Sequence, residues 1–477
     1  MKATKIFMMA ALALMMIACS NDDFTEQPIE QPVDNNNKEI TITATLAPKG
    51  NDGMRAVADN GDDKITVTWA VDEHLAILYT KDGNQMADAR ITAVDDVTGA
   101  ATITFTVEGG TSDNTDCQIV YPLSAAKSDK SGVKAYADML ATQDGVLDGD
   151  LDVRVGAGKI QVTTPGLDVT TQPAAQYSIF KFTIQDLSST DKTATQFKVS
   201  DNSGNVITTV TPSSATGTLY VALPVLTTGM YWFNATIDSK PYIAKATVST
   251  ATVAGKYYQS TVKMATVGNA ILSDGKFATK GTSGQQAVIV YVGTVDKYFN
   301  HFLAIALEDA ANKVTWSDAL TAIGTYAEAH PITIGGTTYN NTNACTSGYD
   351  VVSDNNATTS ATATTLHQGW RMPTVTDWRY LYAGILGKSP TTPIGVNNNL
   401  GYYNSSSSGT DRSNIQHVVS NKILKSYIGT GANIYDTWFS SEVTGNDGKA
   451  WNFDPFYPSF DYEDKTSNNN VVAVFAY

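Results

Sequence analysis

The chain has 477 residues, too many for a single hydrophobic core, so two to four domains are expected. Hydrophobic residues make up 42% and charged residues 17%, which excludes a disordered chain. The formal net charge of −15 argues against binding to a phosphate backbone, so no nucleic-acid partner is predicted. Three cysteines cannot form a disulfide framework, and five histidines leave little material for histidine-based metal sites.

The first residues are typical of a targeting segment. Residues 1–18 have a basic start at Lys2 and Lys5, then an apolar run too short to span a bilayer. The run ends in Met-Ile-Ala-Cys19, which resembles the bacterial lipobox and implies that Cys19 is lipidated and becomes the first mature residue. Ordinary secretion with an incidental cysteine is the alternative.

Residues 19–37 form a polar stretch that we interpret as a tether. Its start, Ser20-Asn-Asp-Asp23, resembles the surface-export signal of Bacteroidetes lipoproteins. A merely solvated linker is the alternative. The resemblance predicts a surface-exposed protein held at the outer membrane by acyl chains.

Short alternating runs dominate residues 38–264 and predict β-strands. Gly, Asn, Asp and Pro separate these runs, as the turns of antiparallel sheets require. The length fits two antiparallel β-sandwiches, at 38–168 and 169–264, with the joint placed in Thr164–Pro173, where prolines interrupt the pattern. Strands are predicted at the following runs: Ile40–Leu46, Lys64–Trp69, Ala101–Val107, Lys181–Ile184, Leu219–Leu223 and Met230–Ile237.

The remaining chain has a different texture. Residues 265–284 are rich in Gly, Ser, Thr and Lys and are interpreted as a linker, and residues 285–477 as an α+β domain. Helices are predicted over Thr315–His330, with an apolar face that includes Trp316 and Ile323, and over Thr374–Leu386, with Thr374 as N-cap. The whole chain is therefore predicted to be mainly β.

One pattern near the start consists of Arg55-Ala56, Thr66-Val-Thr-Trp69, Asp72 and Leu75-Ala-Ile-Leu-Tyr79. This pattern resembles the start of Bacteroidales fimbrillin-type pilins. The resemblance covers about 19–264 and implies transthyretin-like β-sandwiches. It also implies that a protease cuts between Arg55 and Ala56 and removes the first strand, and that a strand from another fimbrial subunit fills the groove by β-strand addition. A loop arginine that is never cleaved is the alternative.

A second pattern lies in the C-terminal part. Gly369-Trp-Arg-Met-Pro-Thr374 with Asp377-Trp378 resembles the Gly-Trp-Arg-Leu-Pro-Thr…Glu-Trp signature of C-type-lectin-like domains in Bacteroidetes surface proteins. The resemblance covers about 285–477, with Met372 for Leu and Asp377 for Glu as departures. Trp370 and Trp378 supply apolar anchors, and Pro373 stiffens the entry to the second helix. The fold is shared with formylglycine-generating enzymes, but their cysteine pair is not matched, since only Cys345 lies in this part.

Two further clusters contain residue types that occur at binding sites. The aspartates of Asp144-Gly-Val-Leu-Asp-Gly-Asp-Leu-Asp152 lack the glutamate and spacing of a calcium loop, so a solvated turn is favoured and no metal or cofactor is predicted. The segment 454–462 has two prolines and is interpreted as a loop. Its aromatic and acidic side chains are candidates for contact with a sugar or a partner protein: Phe456, Tyr457, Phe460, Asp461 and Tyr462.

Motifs of hydrolases and nucleotide-binding enzymes are missing from the sequence, so a non-enzymatic protein is predicted. We predict a cell-surface fimbrial subunit that accepts a donor strand and presents a lectin-like domain to a host or bacterial glycan or protein. Its final strand, Val471–Tyr477, would belong to the core of that domain and would be a poor donor, which predicts a position at the fibre tip. A stand-alone glycan-binding surface lipoprotein for nutrient capture is the alternative.

Overall fold

The computed structural model describes residues 38–49, 67–352, 366–386, 437–443, 445–454 and 459–477. These residues form a mainly β structure, with three α-helices beside 27 strands, which confirms the predicted class. Cys19, Arg55, Ala56, Phe456 and Tyr457 lie outside the described residues.

The first unit is a seven-stranded antiparallel sheet, in the order β1-β4-β3-β2-β5-β7-β8. Inward side chains from both ends of this order share one apolar core, as in a sheet folded onto itself. Its elements are β1 (Ile40–Leu46), β2 (His74–Thr80), β3 (Asn84–Val94), β4 (Ala101–Val107), β5 (Thr115–Tyr121), α1 (Tyr136–Met139), β6 (Thr142–Gln143), β7 (Arg154–Gln161) and β8 (Gly166–Ala175).

The second unit is an eight-stranded sheet, in the order β12-β9-β15-β14-β13-β10-β11-β6. Short β6 comes from the first unit and pairs in parallel with β11. The elements of this unit are β9 (Ser178–Asp186), β10 (Gln196–Ser200), β11 (Val206–Val210), β12 (Thr218–Leu223), β13 (Gly229–Ile237), β14 (Lys240–Val248) and β15 (Tyr257–Thr266).

The change of sheet lies later than the predicted joint. β8 continues to Ala175 in the first sheet, and β9 begins the second at Ser178. Thr164 and Pro165 belong to the turn between β7 and β8, and Pro173 lies in edge strand β8 beside an irregularity in its register. An edge strand tolerates proline because the missing N–H takes no ladder hydrogen bond, so these prolines do not separate domains.

The third unit is built on a ten-stranded sheet whose main order is β17-β16-β18-β19-β27-β24-β25-β26. β22 pairs with β24, β23 pairs with β27, and β20 and β21 form a separate pair. The elements are β16 (Ala270–Leu272), β17 (Phe277–Ala278), β18 (Gln285–Val292), β19 (Phe302–Val314), α2 (Trp316–Ala329), β20 (Ile332–Ile334), β21 (Thr337–Tyr339), β22 (Asp350–Val352), β23 (Gly369–Arg371), α3 (Val375–Leu386), β24 (Thr437–Val443), β25 (Asn446–Asp454), β26 (Ser459–Asp464) and β27 (Asn469–Ala476).

The stretch 265–284 differs from the predicted linker. β16 and β17 both pair within the third sheet, and Ala270 and Ile271 are fully buried. The Gly- and Ser-rich composition reflects the tight turns between these short strands. Gly275, for example, has φ +74°, and a Cβ there would meet the Thr333 carbonyl oxygen at 2.2 Å.

Both long helices begin where the sequence predicts. Thr315 caps α2, since its Oγ1 accepts from the Asp318 amide at 3.3 Å, and Trp316 and Ile323 on the apolar face are buried. Thr374 caps α3 in the same way, accepting from the Asp377 amide at 2.9 Å.

The second and third units share a continuous core. Trp232 and Ile243 of the second sheet pack in one cluster with Ile289 and Phe302 of the third. Only residues 267–269 separate β15 from β16. The two units therefore meet through packed side chains.

Candidate functional site

The first strand, β1, lies at one edge of the first sheet. It pairs antiparallel with β4 along its full length, from Ile40 opposite Val107 to Leu46 opposite Ala101. Ile42 and Leu46 are fully buried in the core, while the threonines between them face solvent. β8, the other edge strand of the order, packs near β1, and no ladder joins the two among the described residues.

The exit segment, which we define as Ala47–Lys49, is held by the rest of the first unit. The Ala47 amide donates to Gln172 Oε1 at 3.1 Å, and the Ala47 carbonyl accepts from Trp69 Nε1 at 3.0 Å. The Lys49 ammonium donates to Asp152 Oδ2 at 3.0 Å, and both side chains are almost completely buried. An extended segment that follows a strand is therefore anchored by both backbone and side-chain contacts.

Residues 50–66, which include Arg55 and Ala56, connect this exit segment to Val67 and lie outside the described residues. Both flanking residues are buried, with Lys49 8% and Val67 5% exposed. The cleavage site predicted at Arg55 therefore lies in sequence between two buried residues, Lys49 and Val67. Cleavage there stays a prediction.

Asp152 differs from the solvated turn that the sequence predicted for the aspartate cluster. Asp144 and Asp148 do accept turn hydrogen bonds, from the amides of Val146 and Asp150. Asp152 is instead 2% exposed, and each of its carboxylate oxygens lies 2.9 Å from Arg154 Nε. The four aspartates are neighbours in the sequence, but tertiary packing buries Asp152 and leaves Asp144 and Asp148 in turns.

The Gly369–Thr374 motif builds the interior of the third unit. Arg371 donates to both carboxylate oxygens of Asp377, from Nε at 3.0 Å and Nη2 at 2.6 Å, and both side chains are 0% exposed. Trp370 and Trp378 are fully buried, as predicted for anchors. Since these side chains are enclosed, the motif organises the fold and does not present a binding surface.

The predicted aromatic loop is partly a strand. Phe460, Asp461 and Tyr462 lie on β26, which pairs with β25 over Lys449–Asp454. Tyr462 is half-buried, and its ring packs edge-on against Trp451 with centroids 5.4 Å apart. The Lys449 ammonium lies 4.9 Å from the Tyr462 ring centroid. Alternation of Phe460 and Tyr462 was the available signal for a strand, and the nearby prolines obscured it.

The described cysteines are free thiols. Cys117 is buried on β5, and burial raises its pKa to about 12. Cys345 is partly buried. Among the residues that the structure describes, no three His, Cys, Asp or Glu side chains converge to hold a metal ion. No helix within those same ranges combines the length and apolar character needed to cross a membrane.

Comparison with known proteins gives matches only among solved structures. No model of a protein family matches the chain, and none of the curated proteins does. The chain is similar to a fimbrial protein from Bacteroides ovatus ATCC 8483, with 11% identity, coverage of 93% of this chain and 100% of that one, and a TM-score of 0.24.

Two further structures belong to the same kind of protein. A fimbrial assembly protein from Parabacteroides distasonis ATCC 8503 is 10% identical, with 53% of this chain and 94% of that one covered and a TM-score of 0.27. The tip fimbrial protein Mfa3 from Porphyromonas gingivalis, with C-terminal truncation, is 9% identical, with 44% and 82% covered and a TM-score of 0.22. These three solved structures are thus described as fimbrial proteins, and their similarity to this chain is too low to carry an argument.

Proposed function

We propose that this chain is a subunit of a surface fimbria and that it accepts a strand from a neighbouring subunit in the place that β1 occupies. The position of β1 carries this proposal. Because β1 is an edge strand, its dissociation breaks only the ladder with β4. Its dissociation also removes Ile42 and Leu46 from the core. An incoming strand with the same alternation would restore both the ladder and the core.

The proposed trigger is cleavage between Arg55 and Ala56. Loss of β1 would uncover the inward side chains of β4, among them Ile103 and Phe105, which are now 0% and 2% exposed. At roughly 25 cal/mol per Å² of apolar surface, exposing such a groove to water costs several kcal/mol of free energy. That free energy is available to an incoming donor strand.

The proposed position is the fibre tip, because β27 is unsuited to donation. All of its residues are buried, and it pairs with β19 on one side and with β23 and β24 on the other. Withdrawing it would open both cores of the third unit. With residues 285–477 outermost, the lectin-like part would be presented to a glycan or protein, with segment 454–462 as the candidate contact surface.

Membrane attachment completes the proposal. Lipidation at Cys19 would hold the chain at the outer membrane before assembly. Replacing Cys19 with Ala should release the protein from the membrane fraction. Unchanged retention would contradict the lipid anchor without touching the strand-exchange proposal.

The central test compares Arg55→Ala with the wild type in cells that assemble fimbriae. The variant should keep its first strand, show a longer mature chain and enter fewer polymers on a ladder gel. Arg90→Ala serves as a matched control, because Arg90 is an exposed arginine on β3. Equal assembly of wild type and Arg55→Ala would contradict processing at this bond.

Immunogold labelling of residues 285–477 tests the tip position. Gold is expected at fibre ends, and gold spread along the shafts would contradict the assignment. A protein that binds sugar at the surface yet never enters fibres would instead favour the stand-alone glycan-binding lipoprotein.

A further inference from the structure

The side chain of Lys49 enters a defined pocket. Its ammonium lies 4.0 Å from the Trp69 ring centroid and 4.1 Å from that of Tyr121, besides its 3.0 Å contact with Asp152. The two rings meet edge to face, at an interplanar angle of 86°. Two aromatic rings and a carboxylate around one point favour an organic cation there.

The pocket belongs to the part of the chain that would stay behind. We define the cation pocket as Trp69, Tyr121, Asp152 and Arg154, all of which follow Arg55 in the sequence. Lys49 precedes Arg55 and would leave with β1. Cleavage would therefore vacate the pocket without dismantling it.

The emptied pocket would remain balanced in charge. Arg154 Nε contacts both oxygens of Asp152 at 2.9 Å, and Arg154 is 2% exposed. Departure of Lys49 thus leaves a buried pair of one cation and one anion. It leaves no isolated buried charge, and an isolated buried charge would be strongly unfavourable. The second cation position is consequently free to be filled again.

We infer that the cation pocket selects the incoming strand, by accepting a Lys or Arg that lies three residues beyond the last inward apolar side chain of that strand. This inference rests on the proposed strand exchange. The template is the resident strand itself, in which Leu46 is the last inward apolar residue and Lys49 fills the pocket. The neighbouring contacts to Ala47 from Gln172 and Trp69 fix the backbone, so they set the distance at which that cation must lie. An acidic residue at the same place would face Asp152 and be rejected.

A strand-replacement assay tests the inference on the full chain. A recognition sequence for a sequence-specific protease replaces residues 53–59, so the test does not depend on natural cleavage at Arg55. After cutting, fluorescent peptides corresponding to residues 38–49 are added, and their entry is followed by polarisation. Four peptides are compared: wild type, Lys49→Met, Lys49→Glu and, as a control on the exposed face, Thr45→Met.

The wild-type and Thr45→Met peptides should enter equally well. Lys49→Met should bind about tenfold more weakly, and Lys49→Glu about a hundredfold more weakly. Introducing Trp69→Phe or Asp152→Asn in the chain should shrink the difference between the wild-type and Lys49→Met peptides. Equal binding of all four peptides would overturn the inference and leave strand exchange standing. Failure of every peptide to enter would overturn strand exchange itself, and the inference with it.

Discussion

Arg371 and Asp377 form a fully enclosed ion pair, six residues apart, between β23 and the first turn of α3. Asp377 Oδ2 also accepts from the Thr374 amide at 2.9 Å, so one carboxylate both neutralises the arginine and caps the helix. The two residues join a strand, a turn and a helix, which explains why the motif extends across all three.

Arg371→Ala should lower the free energy of unfolding by about 3–5 kcal/mol, because it leaves the buried Asp377 carboxylate without the arginine that neutralises it. Denaturant unfolding followed by the fluorescence of the enclosed tryptophans measures this. Arg90→Ala removes an arginine whose ion pair with Asp72 is more than half exposed, and should cost less than about 1 kcal/mol. Similar losses in both variants would contradict a structural role for the buried pair.

Lys49→Met and Asp152→Ala should differ in their effect on β1. The first leaves Arg154 and Asp152 paired and should cost about 1 kcal/mol, whereas the second leaves two buried cations and should cost about 3 kcal/mol or more. Hydrogen exchange of the β1 amides reports the difference locally. A larger effect from Lys49→Met would show that the ammonium, and not the carboxylate, holds the cluster together.

Stability should fall as the pH drops from about 6.5 to 4. Burial lowers the pKa of His301 to about 4, so the folded protein binds fewer protons than the unfolded chain in this window. The loss attributable to this residue is up to about 3 kcal/mol. His301→Gln should flatten that part of the stability profile. An unchanged profile in His301→Gln would contradict the assignment.

Thiol labelling should distinguish the two described cysteines. At pH 8, a maleimide reagent should modify Cys345 readily and Cys117 only after unfolding, because Cys117 is buried and its pKa is raised to about 12. Mass spectrometry of the digested protein identifies the modified peptides. Rapid labelling of Cys117 in the native protein would mean that β5 opens easily.

Local pattern was sufficient for most elements that alternate or cap in the usual way, but the strand predicted at Lys64–Trp69 is wrong for its described residues 67–69, which lie outside every strand. Ile40–Leu46 and Ala101–Val107 are strands over the predicted residues, because their period-two pattern directly states which side is buried. The start of α3 followed from Thr374 as N-cap, and α2 followed from the apolar face that includes Trp316 and Ile323. The resemblance to a signature motif located Arg371 and Asp377 but gave no information on their pairing.

Tertiary arrangement accounts for what the sequence did not reveal. The pairing of Thr142–Gln143 with the second sheet depends on a chain path that no local pattern encodes. The sequence pattern groups Asp152 with solvated aspartates, although the spacing Asp152-Val-Arg154 places two opposite charges on one side of an extended segment and indicates a pair. The cation pocket required three distant segments to converge, around Trp69, Tyr121 and Asp152, which only the fold provides.

The close junction between the second and third units has a geometrical consequence. Asn202 Oδ1 lies 3.2 Å from Trp232 Nε1 and 3.3 Å from the Tyr477 hydroxyl, so one side chain of the second unit bridges to the end of the third. The His301 ring stacks on Trp232 with centroids 4.1 Å apart, which adds a second bridge. With only three residues of connecting chain, the third unit cannot swivel without unstacking these rings. A molecule bound to the outer face of the third unit would therefore keep a fixed orientation relative to β13. A lateral force on that molecule would be transmitted to the second sheet as torque.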